Sequence, residues 1–231
     1  MGIPLLIFGT GNNAECAHYY LTHDAAYKDV YDVVGFITEH KKSDQGSVDQ
    51  INVDKFCGLD VHDLCDIETL FDPLWVRVIA PISGRNLNKY RERIFNTLLE
   101  KKYTFINYIS SKANVFTEKI GRNCFILEDN TIQPFVEIGD NCVIWSGNHI
   151  GHHSKLGNHI FMTSHIVISG LCQIGDYCYI GVNVSIRDST ILAPNTVIGM
   201  HSGVTKNTES YKIYTGCPAK IFKDCDDNLT I

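Results

Sequence analysis

One aliphatic residue returns every six positions through the second half of this 231-residue chain. Counting from Ile120, the positions Ile126, Ile132, Ile138, Ile144, Ile150, Leu156, Met162, Ile168, Ile174, Ile180, Ile186, Leu192, Ile198 and Val204 are apolar without a miss. At 44% hydrophobic content, chance supplies such a run about once in 10⁵. A period of six matches neither the 3.6 of an amphipathic helix nor the 2 of a strand. It matches a prism in which each unit gives one short strand and one corner. Three units then close a coil of about 18 residues, and residues 18 apart stack. Gly121, Gly139, Gly157 and Gly175 keep that spacing, which favours three faces over two. The fourth position after the aliphatic is mostly small, as at Cys124, Asn130, Cys142, Asn148, Ser154, Cys172 and Cys178. It reads as a packing position where a thiol serves as a small apolar group. The alternative for a repeat of this kind is a structural spacer that carries no chemistry.

Composition narrows the partners. A formal net charge of −6 gives no reason to expect nucleic acid or an anionic membrane surface. No apolar run reaches the 18 residues or so that span a bilayer. The opening MGIPLLIFGTGNN lacks a basic n-region and reads as a first strand, not a signal peptide. Nine cysteines without a C-x-x-C pair suggest neither a disulfide scaffold nor structural zinc. The expectation is a set of free thiols in the reducing cytoplasm.

Residues 1–110 follow another rule. PLLIFG (4–9) reads as a buried strand, followed by a glycine turn and a helix to about Leu21. VVGFI (33–37), a polar loop, a short helix near 63–71, VRVIA (76–80), a helix from about Leu87 to Lys102 and the strand TFINYI (104–109) complete the set. Strands alternating with helices imply a parallel sheet. Gly9, Thr10, Gly11, Asn12 and Asn13, leading to Ala14, form the strand–turn–helix context in which glycines let a backbone approach a phosphate. The alternative is a tight turn that binds nothing. Four strands supply little more than one half of a dinucleotide fold, which points to a mononucleotide or nucleotide-sugar rather than NAD. Glu39, just past the second strand, is a candidate contact to a ribose or base.

Five histidines crowd into one stretch: His149, His152, His153, His159 and His165. None falls on the inward aliphatic phase. No pair among them is 18 apart, as ligands stacked in one chain would be, so no metal is expected. General base catalysis is the other reading, since the imidazole is the side chain that ordinarily titrates nearest neutrality.

Taken together, the hexads, the glycine turn and the histidines resemble the bacterial sugar O/N-acyltransferases. That family includes sialic-acid O-acetyltransferases and N-acetyltransferases of nucleotide-linked 4-amino sugars. Gly216-Cys217-Pro218-Ala219-Lys220 is close to the family's G-N-P-A-K terminus. The resemblance implies an α/β Rossmann-like domain over 1–110, followed over 111–231 by an all-β left-handed parallel β-helix with a C-terminal tail. It also implies a homotrimer, acetyl-CoA as co-substrate, and no membrane insertion. The family's base lies in an [Ile/Val]-x-His-x-x-x-aliphatic-Gly hexad, here Ile150-Gly151-His152-His153-Ser154-Lys155-Leu156-Gly157, so the resemblance gives that role to His152. Relatives often carry a carboxylate next to orient the base; this chain departs from them with His153 there, which leaves Asn148 or His165 as the candidates to orient His152. Gly170 matches the glycine whose N–H contacts the thioester carbonyl, while Lys206 and Lys220 are candidates for coenzyme A phosphates. The expected reaction is direct acetyl transfer to the amine of a nucleotide-linked amino sugar. Sugar or sialic-acid O-acetylation is the alternative. A non-catalytic scaffold and a zinc-dependent γ-carbonic-anhydrase-like enzyme are the readings from other classes.

Overall fold

The computed structural model describes residues 2–39 and 54–229. The chain forms two compact units, Met1–Ile82 with Ile94–Ile106, and Ser83–Arg93 with Asn107–Ile231. The division falls inside one helix.

The first unit is an α/β sheet. β1 (Ile3–Phe8) leads through the glycine turn into α1 (Asn12–His23), and β2 (Tyr31–Thr38) returns beside β1 in parallel. A hairpin of β3 (Lys55–Phe56) and β4 (Leu59–Asp63) follows, then α2 (Ile67–Leu70), β5 (Arg77–Ile79), α3 (Lys89–Glu100) and β6 (Thr104–Phe105). Strand order is β3-β4-β2-β1-β5-β6. β1 is buried from Leu5 to Phe8, as its continuous apolar run requires of a strand covered on both faces. The chain reverses winding direction at β1 and β5, so the glycine turn stands at the carboxyl end of the switch point, where open α/β sheets place ligands. Two readings of the sequence change. β4 is an additional parallel strand paired with β2, where only a polar loop was expected. TFINYI divides: Thr104–Phe105 pairs with β5, whereas Tyr108–Ile109 pairs with Phe125–Ile126 as the first rung of the second unit.

That second unit is a left-handed β-helix of two-residue rungs on three parallel sheets. Pairing is 18 residues apart at rung after rung, as in Val143 with Phe161, His149 with Val167 and Lys155 with Gln173. The second residue of each rung is the periodic aliphatic, and from Ile126 onward every one of these is buried. Each such side chain contributes about 1.5–3 kcal/mol relative to exposure, so the column is the main reason the coils stay stacked.

The corners obey a backbone rule that the sequence reading missed. Three residues past each aliphatic the chain turns with positive φ, at Asn123, Asp129, Phe135, Asn141, Gly147, His153, His159, His165, Leu171, Tyr177, Asn183, Ser189, Asn195 and His201. Asparagine, aspartate, histidine and glycine tolerate the left-handed region best. Four of the chain's histidines occupy this phase for that reason, whatever else they do.

The small position one residue later also has a sharper explanation than packing. Its side chains donate to backbone carbonyls that the corner leaves over: Cys124 to Gly139, Cys142 to Gly157, Cys172 to Arg187, Cys178 to Ala193, Asn130 to Trp145 and Ser154 to Ser169. The thiols are buried donors, and burial pushes Cys178 up to about 12. Burial raises Cys172 as well, so these two are protonated structural groups, poor nucleophiles at neutral pH.

One sheet is apolar on its outer side too, with Tyr108, Phe125, Val143, Phe161 and Val197 buried there. Residues Ser83–Arg93 belong to this unit, and Arg91 is the hinge of their attachment. Its guanidinium is fully buried and donates to the carbonyls of Ser83, Asn141, His159 and Ile160 and to Asn88 Oδ1. Burial lowers its pKa to about 10, which leaves it charged. Among the described residues, no helix is long and apolar enough to cross a membrane.

Candidate active site

His152 stands two residues past inward Ile150, on a corner of the β-helix, and its side chain is exposed. Its backbone N–H donates to Gln133 Oε1 from the preceding coil at 2.8 Å. Its ring lies over Gly170, the residue 18 ahead in the next coil. A Cβ added there would come within 2.7 Å of His152 Cε1 and 2.8 Å of Nε2. The glycine is thus what leaves room for the imidazole.

Gly170 has a second property. On a neighbouring corner, the N–H at this phase is accepted by a side chain one coil on: Arg122 by Asp140, Asp140 by Asn158, and Asn158 by Asp176. Among the described residues, the N–H of Gly170 has no hydrogen-bond partner. A backbone donor with no internal partner, next to an imidazole, is the arrangement that stabilises a developing oxyanion.

The neighbours sort themselves clearly. His153 Nδ1 is 3.1 Å from His152 Nδ1. Asn148 does not reach His152: its amide donates to Trp145 O and its Oδ1 accepts from the N–H of Ile166, which commits it to holding a corner. His165 sits over Gly147, where a Cβ would meet its Nδ1 at 2.7 Å, and makes no hydrogen bond to His152. His159 is buried, stacked on Tyr177, and its Nδ1 takes a 2.8 Å hydrogen bond from Asn141. Burial lowers its pKa, with Arg91 adding to the effect. Among the described residues, no group of three or more His, Cys, Asp or Glu side chains converges as metal ligands would.

In the first unit, Gly9 has φ +107° and its N–H donates to Ile37 O, so the turn hugs the end of β2, where Glu39 follows. Gly11 is the N-cap of α1, with no side chain capping the helix. The side-chain nitrogen of Asn13 is buried with no hydrogen-bond partner among the described residues, an unsatisfied donor at the helix start. Thr10 is half-buried and Asn12 exposed. At the far end of the β-helix, the N–H of Ala219 donates to Gly203 O and that of Gly203 to Gly216 O. The Gly216–Lys220 segment is thereby pinned to the last coil, and the side chains of Lys206 and Lys220 are exposed.

A family profile described as "Bacterial transferase hexapeptide (six repeats)" matches residues 119–152 and 171–206. No curated protein sequence matches the chain. Among solved structures, the acetyltransferase domain of PglB from Neisseria gonorrhoeae FA1090 superposes with a TM-score of 0.79 at 16% identity, covering 96% of this chain and 100% of that one. A mutant of perosamine N-acetyltransferase from Caulobacter crescentus, in complex with CoA and GDP-perosamine, gives 0.80 at 17%, covering 96% and 97%. WeeI from Acinetobacter baumannii AYE gives 0.75 at 18%, covering 94% and 99%. These identities establish a shared fold of α/β unit and β-helix over nearly the whole length. Two stretches of the β-helix, residues 119–152 and 171–206, thus carry the repeat of the bacterial hexapeptide transferases.

Proposed function

We propose that this protein transfers an acetyl group from acetyl-CoA to the amine of a nucleotide-linked 4-amino-deoxy sugar, with His152 as general base. The observation that carries the reading is the pairing of an exposed imidazole with the unbonded N–H of Gly170 in the adjacent coil. The amine attacks the thioester carbon and its proton passes to His152 Nε2. The N–H of Gly170 holds the oxygen as it becomes negative, and the C–S bond then breaks to release the thiol of CoA. No acyl-enzyme is required, since the buried cysteines are committed as donors inside the prism.

The glycine turn and the orphan donor of Asn13 suit the nucleotide phosphates, with Glu39 near a ribose or base. A phosphate cradle favours a nucleotide-sugar over free sialic acid, and hence an amine over a hydroxyl acceptor. Lys206 and Lys220 suit coenzyme A phosphates. Phe135 and Leu171 are 67% and 53% exposed on the His152 corner while holding positive φ. Bulky apolar residues held in that conformation and open to solvent support burial against a second copy, as in a trimer.

The test is release of free thiol from acetyl-CoA across a panel of UDP-, dTDP- and GDP-linked amino sugars, with sialic acid as the O-acetylation arm. Turnover with one nucleotide amino sugar is expected. His152→Ala should lower it by on the order of 10²-fold or more while acetyl-CoA still binds. Near-normal turnover by that variant would remove His152 from the mechanism, and turnover with sialic acid alone would replace the acceptor.

A further inference from the structure

We propose that His152 and His153 act as one proton-sharing pair, in which His153 sets the tautomer of His152; the functional half of this inference rests on the acetyltransferase reading above. The two Nδ1 atoms are 3.1 Å apart and the rings meet edge-on, at 86° with centroids 5.3 Å apart. A contact between two ring nitrogens needs one N–H and one lone pair. His153 is fixed independently. Its backbone takes the left-handed conformation at φ 58°, its N–H donates to Pro134 O, and its ring packs on Phe135 with centroids 4.6 Å apart. His152 is held between this partner and the surface of Gly170.

A base acting through Nε2 needs its only proton on Nδ1. His153 supplies the acceptor for that proton when its own proton is on Nε2. The neutral pair then carries two protons on four ring nitrogens, and Nε2 of His152, the nitrogen beside Gly170, is the vacant site. When the amine attacks, its proton completes a set of three, and the positive charge spreads over both rings through the shared Nδ1 position. The thiolate leaving the thioester takes a proton from the pair and restores it. Charged groups lining the depression beside His153 are Glu118, Lys119, Glu137 and Lys155, with Glu137 bonded to both lysines. Gln133, against His152 itself, is neutral.

The decisive experiment needs no substrate. In full-length protein labelled with ring-¹⁵N histidine, long-range ¹H–¹⁵N spectra from pH 5 to 9 report which nitrogen carries the proton. The neutral form of His152 is expected to be protonated at Nδ1. His153→Phe is expected to keep the corner, since Phe135 already holds that phase one coil away, and to release His152 to the Nε2–H form. His153→Asn offers an oxygen acceptor from a residue at ease with positive φ and should return the Nδ1–H form. Wild-type His152 protonated at Nε2, or a tautomer indifferent to His153→Phe, overturns the pair.

Kinetics with acetyl-CoA and the best acceptor of the panel give the second reading. Turnover by His153→Phe should fall by roughly 10-fold or more at unchanged KM, with His153→Asn recovering most of it. Unchanged turnover in these variants, with His152→Ala inactive, would sink the pair and leave the acetyltransferase standing. The expected tautomers with no transfer to any acceptor would do the reverse.

Discussion

Gly170 performs two tasks with one hydrogen atom in place of a side chain: it seats the imidazole of His152 and offers an N–H beside it. Gly170→Ala should therefore lower kcat by about 10-fold or more, because the ring has to swing away from the added methyl. Urea denaturation should show a stability change within about 0.5 kcal/mol, since the displaced group is an exposed side chain. His159 makes a contrasting prediction. Its folded-state pKa is depressed by burial, so the unfolded chain binds its proton more readily. Stability should be complete above the ordinary histidine range and decline as pH falls through that range toward the folded value. His159→Asn keeps the positive-φ corner and removes the titrating ring, so denaturation midpoints should become less dependent on pH between 5 and 8. Residue roles of this kind were only partly legible in the sequence. The phase of His152 was, since it follows from counting sixes. The partner of His152 was not, because the contact depends on how two adjacent side chains leave a tight corner.

At the scale of elements, sequence and structure agree best where one rule repeats. A rung of two residues and a corner of four leaves little freedom, so the period alone specifies stacking at 18 residues. The α/β unit has no such redundancy. There β4 escaped notice because LDVHD lacks the apolar run that marked β1 and β2. TFINYI looked like one strand because both its halves are strands, though of different sheets. Arg91 was silent in the sequence: an arginine in an amphipathic helix reads as a solvated residue until the carbonyls it serves are located. Its loss should be costly, since several buried carbonyls lose their donor together. Arg91→Ala is expected to destabilise by about 3 kcal/mol or more, with Arg91→Lys only partly restoring stability because an ammonium cannot span the same acceptors. Thermal unfolding of the two variants checks both the size and the order.

For the molecule as a whole, the proposed trimer predicts a native mass near three times the 26.0 kDa chain. Replacing Phe135 and Leu171 together by aspartate should yield monomers with an unchanged far-ultraviolet spectrum, as sedimentation would report. Both changes suit positions where aspartate tolerates positive φ. The regular stacking also has a metric consequence. Lys206 occupies the same corner phase as His152, three coils further along. Adjacent parallel rungs are about 4.8 Å apart, so the β-helix is a ruler graduated in whole coils. Removing one 18-residue coil between Gly170 and Lys206 would bring the far end about 4.8 Å nearer and leave every corner in phase. A deletion that is not a whole number of coils would rotate the graduations off their face. A length-matched co-substrate could thus be accommodated by changing coil number alone, with the chemistry at the other end untouched.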